Sequence, residues 1–159
     1  MQDWIHQHPA GFVLLLVAYI VALWLLIAYI IASLGGWRVL ALRFRLQGDF
    51  SGTRWTWQSA MMRGFSNYNN CLIVGADNAG LFLKTIFLFR FAHPALYIPW
   101  VEATVQPYEG RLGRFWGRLT ELRLGRTEQI PLRINLKLAG CLKEAAGASW
   151  PANAATRLS

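Results

Sequence analysis

Residues 12–34 read FVLLLVAYIVALWLLIAYIIASL, a run without a single charged side chain. At about 1.5 Å of rise per residue, a helix over this run is about 34 Å long, which is enough to cross a hydrocarbon core of about 30 Å. A helix that is apolar on every side for so many turns is unusual in the core of a soluble protein. The run therefore predicts one membrane-spanning helix.

The residues before this run distinguish a membrane anchor from a cleaved signal peptide. They read MQDWIHQHPAG and contain no Lys or Arg, whereas a signal peptide begins with basic residues and has a shorter apolar core. Ala32 and Ser33 imitate a cleavage site, so the signal peptide stays open as an alternative. The length of the apolar run favours the anchor.

Basic residues lie on one side of the run only. Arg38, Arg43 and Arg45 follow it closely, and no Lys or Arg precedes it. Because positively charged flanks stay in the cytoplasm, we expect the N-terminus outside and the remainder of the chain inside. The sequence thus predicts a single-pass protein of the cytoplasmic membrane that is integral to the lipid bilayer.

The composition of the 159-residue chain narrows the protein class further. Hydrophobic residues make up 55% and charged residues only 15%, which argues against intrinsic disorder. The two cysteines, Cys71 and Cys141, form no CxxC pair and have no metal-site spacing, which argues against a disulfide scaffold and a zinc module. We find no GxGxxG or Walker motif either, and we expect no cofactor and no metal.

Residues 37–46, WRVLALRFRL, match two patterns. A helix places Trp37, Leu40 and Phe44 on one face, whereas a strand would alternate from Leu40 to Leu46. We favour an amphipathic helix lying on the membrane surface, because the segment directly follows the predicted span.

The remainder of the chain alternates with period two and then returns to helical spacing. Between residues 54 and 134 we expect six to seven short antiparallel strands. From Asn135, an N-cap, to Gly147, a stop signal, the apolar residues form one helical stripe. These patterns predict an α+β fold, in which an antiparallel β-barrel or sandwich follows the transmembrane helix and a C-terminal helix caps it. The expected divisions are 1–36 for an outward tail and the span, 37–147 for a cytoplasmic domain and 148–159 for a flexible tail.

Residues 70–103 carry a family resemblance. They read NCLIVGADNAGLFLKTIFLFRFAHPALYIPWVEA, which resembles a segment of small bacterial membrane proteins of unknown function. Gly36, Trp37, Leu40 and Ala41 resemble a second motif of those proteins, and the similarity covers most of the chain after residue 35. The resemblance implies a pleckstrin-homology-like (PH-like) barrel in the bacterial inner membrane. It implies no reaction and no ligand residues.

The net charge of +8 indicates an acidic partner. Because the cytoplasmic leaflet is negatively charged, we expect basic and aromatic residues of the domain to contact anionic lipid head groups. Nucleic acid is disfavoured, since no RNP, KH or helix-turn-helix signature accompanies the charge. The predicted membrane-surface residues are Trp37, Arg38, Arg43, Arg111, Arg114, Trp116, Arg118, Arg123 and Arg126.

Arg90 and His93 are the remaining candidates for a functional site. Arg90 interrupts the apolar run FLFRF, and we expect a structural ion pair with Glu102, with anion binding as the alternative. His93 is favoured as a loop residue that shapes a turn. An acid–base role would require a carboxylate partner, for which Glu102 and Asp77 are the candidates.

Together these patterns predict a membrane-anchored binding or scaffold module and not an enzyme. Its expected partners are the bilayer, anionic lipid head groups or an unidentified protein. A membrane-anchored enzyme using His93 with Glu102 or Asp77 is the first alternative, and an accessory subunit of a membrane complex is the second.

Overall fold

A long apolar helix comes first in the part of the chain that the computed structural model describes, which is residues 9–108 and 117–151. Helix α1 extends over Pro9–Leu34. Its residues Ala10–Leu34 have a mean hydropathy of 2.8 and are long and apolar enough to cross a membrane. Ala28 and Ala32 are buried against the rest of the protein, and most of the other side chains of the helix are exposed. Length and composition therefore agree with the predicted span.

Helix α2, Trp37–Phe44, follows α1 after a sharp turn at Gly36, whose φ of 85° favours glycine. The expected helix is confirmed, but its apolar face does not point outward. Trp37, Leu40 and Phe44 are buried in the hydrophobic core. The prediction that this face lies on a membrane is wrong, because the sheet of the same protein covers it.

In the described residues, seven antiparallel strands form a curled half-barrel, which confirms the predicted α+β class. They follow one another in the sheet in the order β4-β3-β2-β1-β7-β6-β5, so both edge strands, β4 and β5, are neighbours in sequence. A 3-10 turn, Trp100–Glu102, joins these two edges. The strands are β1 (Thr53–Met62), β2 (Ser66–Ala76), β3 (Gly80–Thr85), β4 (Leu96–Pro99), β5 (Ala103–Tyr108), β6 (Leu119–Leu124) and β7 (Ile130–Asn135).

Alternation along the strands separates the core from the outer face. In β3, Leu81 and Leu83 belong to the core cluster, whereas Phe82 and Lys84 point to the other side. Burying a leucine side chain contributes roughly 1.5–3 kcal/mol, so this pattern fixes the register strongly. The β2–β3 hairpin turns at Asp77, as predicted, and Asp77 Oδ1 accepts 2.8 Å hydrogen bonds from the N–H groups of Ala79 and Gly80.

Helix α3, Leu136–Ala146, covers the half-barrel as expected. The Asn135 side chain caps it by accepting a 2.7 Å hydrogen bond from the Leu138 N–H, and the helix ends at Gly147, where φ is 56°. The ordered C-terminal part extends beyond the predicted boundary at residue 148. Trp150 packs on Trp100 with ring centroids 5.4 Å apart, because the chain turns back there onto the sheet. The remainder of the predicted tail, 152–159, lies outside the described residues.

Candidate functional site

A cavity of about 460 Å³ lies on the outer face of strands β1 to β4. Residues 45–54, strand β3 and the β3–β4 loop form its walls. The Leu46 N–H donates a 2.8 Å hydrogen bond to the Ala95 carbonyl, and Arg45 forms a β-bridge with Leu96. These bonds attach the α2–β1 linker to the edge of the sheet and keep the cavity open beneath it.

Two stacked aromatic rings line the cavity. Phe50 of the linker packs on Phe82 of β3, with ring centroids 4.6 Å apart and planes 3° from parallel. Gly75 lies between Arg54 and Phe82 in the strand register. A side chain at Gly75 would meet the Phe50 ring, since an added Cβ would lie only 2.6 Å from it. The glycine therefore makes the space in which this stack forms.

Four basic side chains surround the same cavity: Arg45, Arg54, Lys84 and Arg90. Among the lining residues in the described part of the chain, Asp49 is the only carboxylate. Within residues 9–108 and 117–151, none of the four cations has a carboxylate oxygen within the 4.0 Å of an ion pair. The Arg54 guanidinium lies 5.4 Å and 5.5 Å from the Phe50 and Phe82 ring centroids, which is close enough for cation–π attraction.

His93 fixes the β3–β4 loop, which carries Arg90. Its Nδ1 lies 3.1 Å from the Phe89 carbonyl and its Nε2 lies 3.0 Å from the Tyr68 hydroxyl. Because a carbonyl only accepts, Nδ1 carries the proton of the neutral ring, and Tyr68 donates to Nε2. Burial lowers the pKa of His93 and outweighs the opposing hydrogen bond to Phe89. The imidazole is therefore neutral at pH 7, and both of its ring nitrogens form hydrogen bonds within the protein.

The same loop contacts the apolar helix. Phe89 packs against Trp24 of α1 with ring centroids 5.5 Å apart. Phe87 and Phe91 are 82% and 74% exposed, and with Trp24 and Arg90 they line an apolar groove of about 380 Å³. Arg90 and Phe91 line both this groove and the basic cavity. The basic cavity and the apolar groove are therefore adjacent, and the groove lies beside Trp24 of α1.

The predicted membrane-surface residues divide into four groups, of which three are described first. Trp37 is fully buried, and its Nε1–H donates a 2.9 Å hydrogen bond to the Pro94 carbonyl, so its prediction as a surface contact is wrong. Arg118 is exposed. Arg111, Arg114 and Trp116 lie outside the described residues.

The other four predicted surface arginines have partners within the protein. The Arg38 guanidinium lies 4.6 Å from the Tyr29 ring centroid on α1. Arg43 pairs with Glu102 at 3.3 Å, and Arg123 pairs with Glu121 at 3.1 Å. Arg126 donates its Nε–H to the Val101 carbonyl at 3.0 Å.

The expected ion pair between Arg90 and Glu102 is wrong. Glu102 instead binds Arg43 and accepts a 3.2 Å hydrogen bond from the Arg126 N–H. The 3-10 turn that contains Glu102 joins the two edge strands, whereas Arg90 extends from the β3–β4 loop towards the basic cavity. The alternative, in which Arg90 binds an anion, stays a prediction.

The structure does not bring His93 to either predicted carboxylate. Both of its ring nitrogens have other partners, and Asp77 is occupied by its own turn and by the Tyr97 hydroxyl at 2.8 Å. Burial, together with the hydrogen bond to Asp77 and its charge, raises the pKa of Tyr97 to about 12. The described ranges also contain no cluster of three or more His, Cys, Asp or Glu side chains that would hold a metal.

Sequence reasoning missed Arg45, Arg54 and Lys84 as members of one site. In β3, the alternation of Leu81 and Leu83 with Phe82 and Lys84 identifies an outer face that is both aromatic and basic. No sequence pattern indicated that the α2–β1 linker folds back over that face, because this depends on packing between distant segments.

No protein-family model, curated protein or solved structure matches this chain. The resemblance to small bacterial membrane proteins therefore stays a prediction. The fold and the site described above rest on the contacts of this chain alone.

Proposed function

We propose that this protein is a single-pass, membrane-anchored binding or scaffold module whose half-barrel lies against the cytoplasmic leaflet. In this proposal α1 spans the bacterial inner membrane with its N-terminus outside. The β3–β4 loop enters the lipid beside α1, and the basic cavity opens at head-group level. The module binds and positions a partner there and catalyses no reaction.

The contact between Trp24 and Phe89 carries this proposal. Trp24 precedes Leu34 by ten residues, which corresponds to about 15 Å along the helix axis. The apolar helix Ala10–Leu34, with 25 residues, is about 38 Å long and exceeds a hydrocarbon core of about 30 Å by only about 8 Å. Even if all of this excess protrudes on the cytoplasmic side, Trp24 lies below the lipid surface. A spanning α1 therefore draws Phe89 and its loop into the leaflet.

The exposed residues of the loop support this geometry. Phe87 and Phe91 flank Phe89, and both leave large aromatic surfaces uncovered in the protein. Burying such surface in lipid is favourable by about 25 cal/mol per Å². Arg90, between them, has a side chain long enough to keep its charge at the head groups while its stem stays in the apolar region.

The strand order and the C-terminal helix support a PH-like domain. In the described residues, the seven-stranded antiparallel sheet has edge strands that follow each other in sequence, and α3 covers it. This arrangement agrees with the fold that the family resemblance implies. Arg38, Arg43 and Arg45 follow α1 directly, and this asymmetry favours the cytoplasm for the half-barrel.

Spin-label accessibility in liposomes tests the proposal on the full-length chain. With Cys71→Ala and Cys141→Ala as the background, one variant carries a nitroxide at Phe91→Cys and its matched control carries one at Trp57→Cys. Trp57 is 65% exposed and lies on β1, not on the loop. We expect the Phe91 label to collide with oxygen, which partitions into lipid, and the Trp57 label to collide with a water-soluble nickel chelate. Equal exposure of both labels to the nickel chelate would overturn the insertion of the loop, and extraction of the protein into buffer without detergent would overturn the anchor.

A further inference from the structure

We propose that the basic cavity binds the phosphate group of an anionic phospholipid whose acyl chains lie in the groove beside Trp24. This inference rests on the proposed membrane anchoring, since the lipid must reach the cavity from the leaflet. It assigns a ligand class and specific ligand residues to the site.

Unpaired charge is the first observation. Arg45, Arg54, Lys84 and Arg90 converge on one cavity whose single carboxylate is Asp49. In the β5–β7 half of the sheet, by contrast, the buried carboxylate of Glu121 holds Arg123 and Arg133 in ion pairs. Bringing like charges together costs free energy, and a phosphate between them would remove that cost through charge-assisted hydrogen bonds.

Preorganisation is the second observation. Arg54 is held over the stacked Phe50 and Phe82 rings, so its planar fork is already oriented before a ligand arrives. Arg90 belongs to a loop that His93 fixes through two hydrogen bonds. Side chains that are already oriented lose little conformational entropy on binding, which favours a specific site over diffuse attraction.

Continuity with the apolar groove identifies the ligand as a lipid. Arg90 and Phe91 line both cavities, so the head of a ligand in the basic cavity lies beside the groove that Trp24, Phe87 and Phe91 form. A soluble phosphate would use only the basic part, and a nucleic acid would leave the apolar part uncovered. An amphiphile with a phosphate head matches the chemistry of both parts.

Native mass spectrometry tests the inference on the full-length chain. The chain is reconstituted with equal amounts of phosphatidylglycerol and phosphatidylcholine and is released from detergent. We expect preferential retention of phosphatidylglycerol. In the variant Arg54→Gln/Lys84→Gln, the preference for phosphatidylglycerol over phosphatidylcholine should fall by about thirtyfold, because each cation near an anionic surface increases the affinity roughly fivefold. The matched control Lys137→Gln/Lys143→Gln removes the same charge from exposed positions on α3 and should retain it.

Three outcomes would overturn the inference. Equal retention of phosphatidylglycerol by both double variants would exclude the cavity as the site. Equal retention of the two lipids by the unmodified chain would exclude a preference for the anionic head group. Displacement of phosphatidylglycerol by millimolar glycerol phosphate would assign the site to a soluble phosphate ester and not to a lipid.

The spin-label measurement distinguishes this inference from the proposed function. If the Phe91 label stays in lipid while the cavity variant retains phosphatidylglycerol, the anchoring stands and only the lipid site fails. If the Phe91 label is in water, the proposed function fails first.

Discussion

The two halves of the sheet differ in how their arginines are paired. In the β5–β7 half, Glu121 is only 3% exposed. Its carboxylate accepts a 2.9 Å hydrogen bond from Arg133 and forms a 3.1 Å ion pair with Arg123. On the outer face of the β1–β4 half, four basic side chains meet around a cavity without such a partner. The partner of an arginine therefore distinguishes a structural charge from one available to a ligand.

The titration of Glu121 follows from its environment. Burial by itself raises the pKa of this carboxyl group. The hydrogen bonds from Arg133 and Gln106 and the charges of Arg123 and Arg133 outweigh that effect, so the pKa lies below its ordinary value. The carboxylate is therefore charged and stabilising in the folded protein.

The largest expected effect is the loss of this carboxylate. Glu121→Ala leaves Arg133, whose side chain is largely buried, without its partner, and we expect the free energy of unfolding to fall by about 3 kcal/mol. Urea unfolding of the full-length chain in detergent, followed by circular dichroism, measures the change. Glu144→Ala, at an exposed position on α3, is the control and should change stability by less than about 0.5 kcal/mol. A similar small effect at Glu121 would show that the two halves of the sheet do not differ as described.

A smaller effect is expected from pH. The pKa of Glu121 is lower in the folded protein than its ordinary value of 4.5. Its contribution to the free energy of unfolding is therefore complete above pH 4.5 and is lost as the pH falls through the folded-state pKa. Between pH 6 and pH 3, the unmodified protein should therefore lose more stability than Glu121→Gln. His93, whose pKa is also lowered, contributes equally to both chains and cancels in this comparison. Parallel pH curves for the two proteins would contradict the prediction.

The smallest effect is expected in the cavity. Arg54→Gln removes a charge that has no ion-pair partner in the ranges 9–108 and 117–151, so the free energy of unfolding should change by less than about 0.5 kcal/mol. The same urea titration measures it, with lipid removed so that no ligand contributes. A loss comparable to that of Glu121→Ala would assign Arg54 a structural role and remove the contrast between the two halves.

Local patterns predicted the elements well, because each depends on neighbours in the sequence. The length of the apolar run predicted α1, and the alternation of apolar and polar residues predicted the strands. Asn135, as an N-cap, predicted the start of α3. The Trp37 and Arg90 predictions failed for the same reason. An amphipathic face is equally suited to a membrane and to a sheet, and an arginine in an apolar run pairs with whichever carboxylate the fold brings near it.

An apolar helix, an antiparallel sheet and a capping helix follow from the amino-acid sequence, because spacing and turn chemistry act over a few residues. Which charged side chains meet at one place depends instead on the folded protein. Arg45, Arg54, Lys84 and Arg90 come from three separated segments, and the hydrogen bonds of His93 and the Phe50–Phe82 stack bring them together. Such convergence depends on packing between distant segments, which no local pattern encodes.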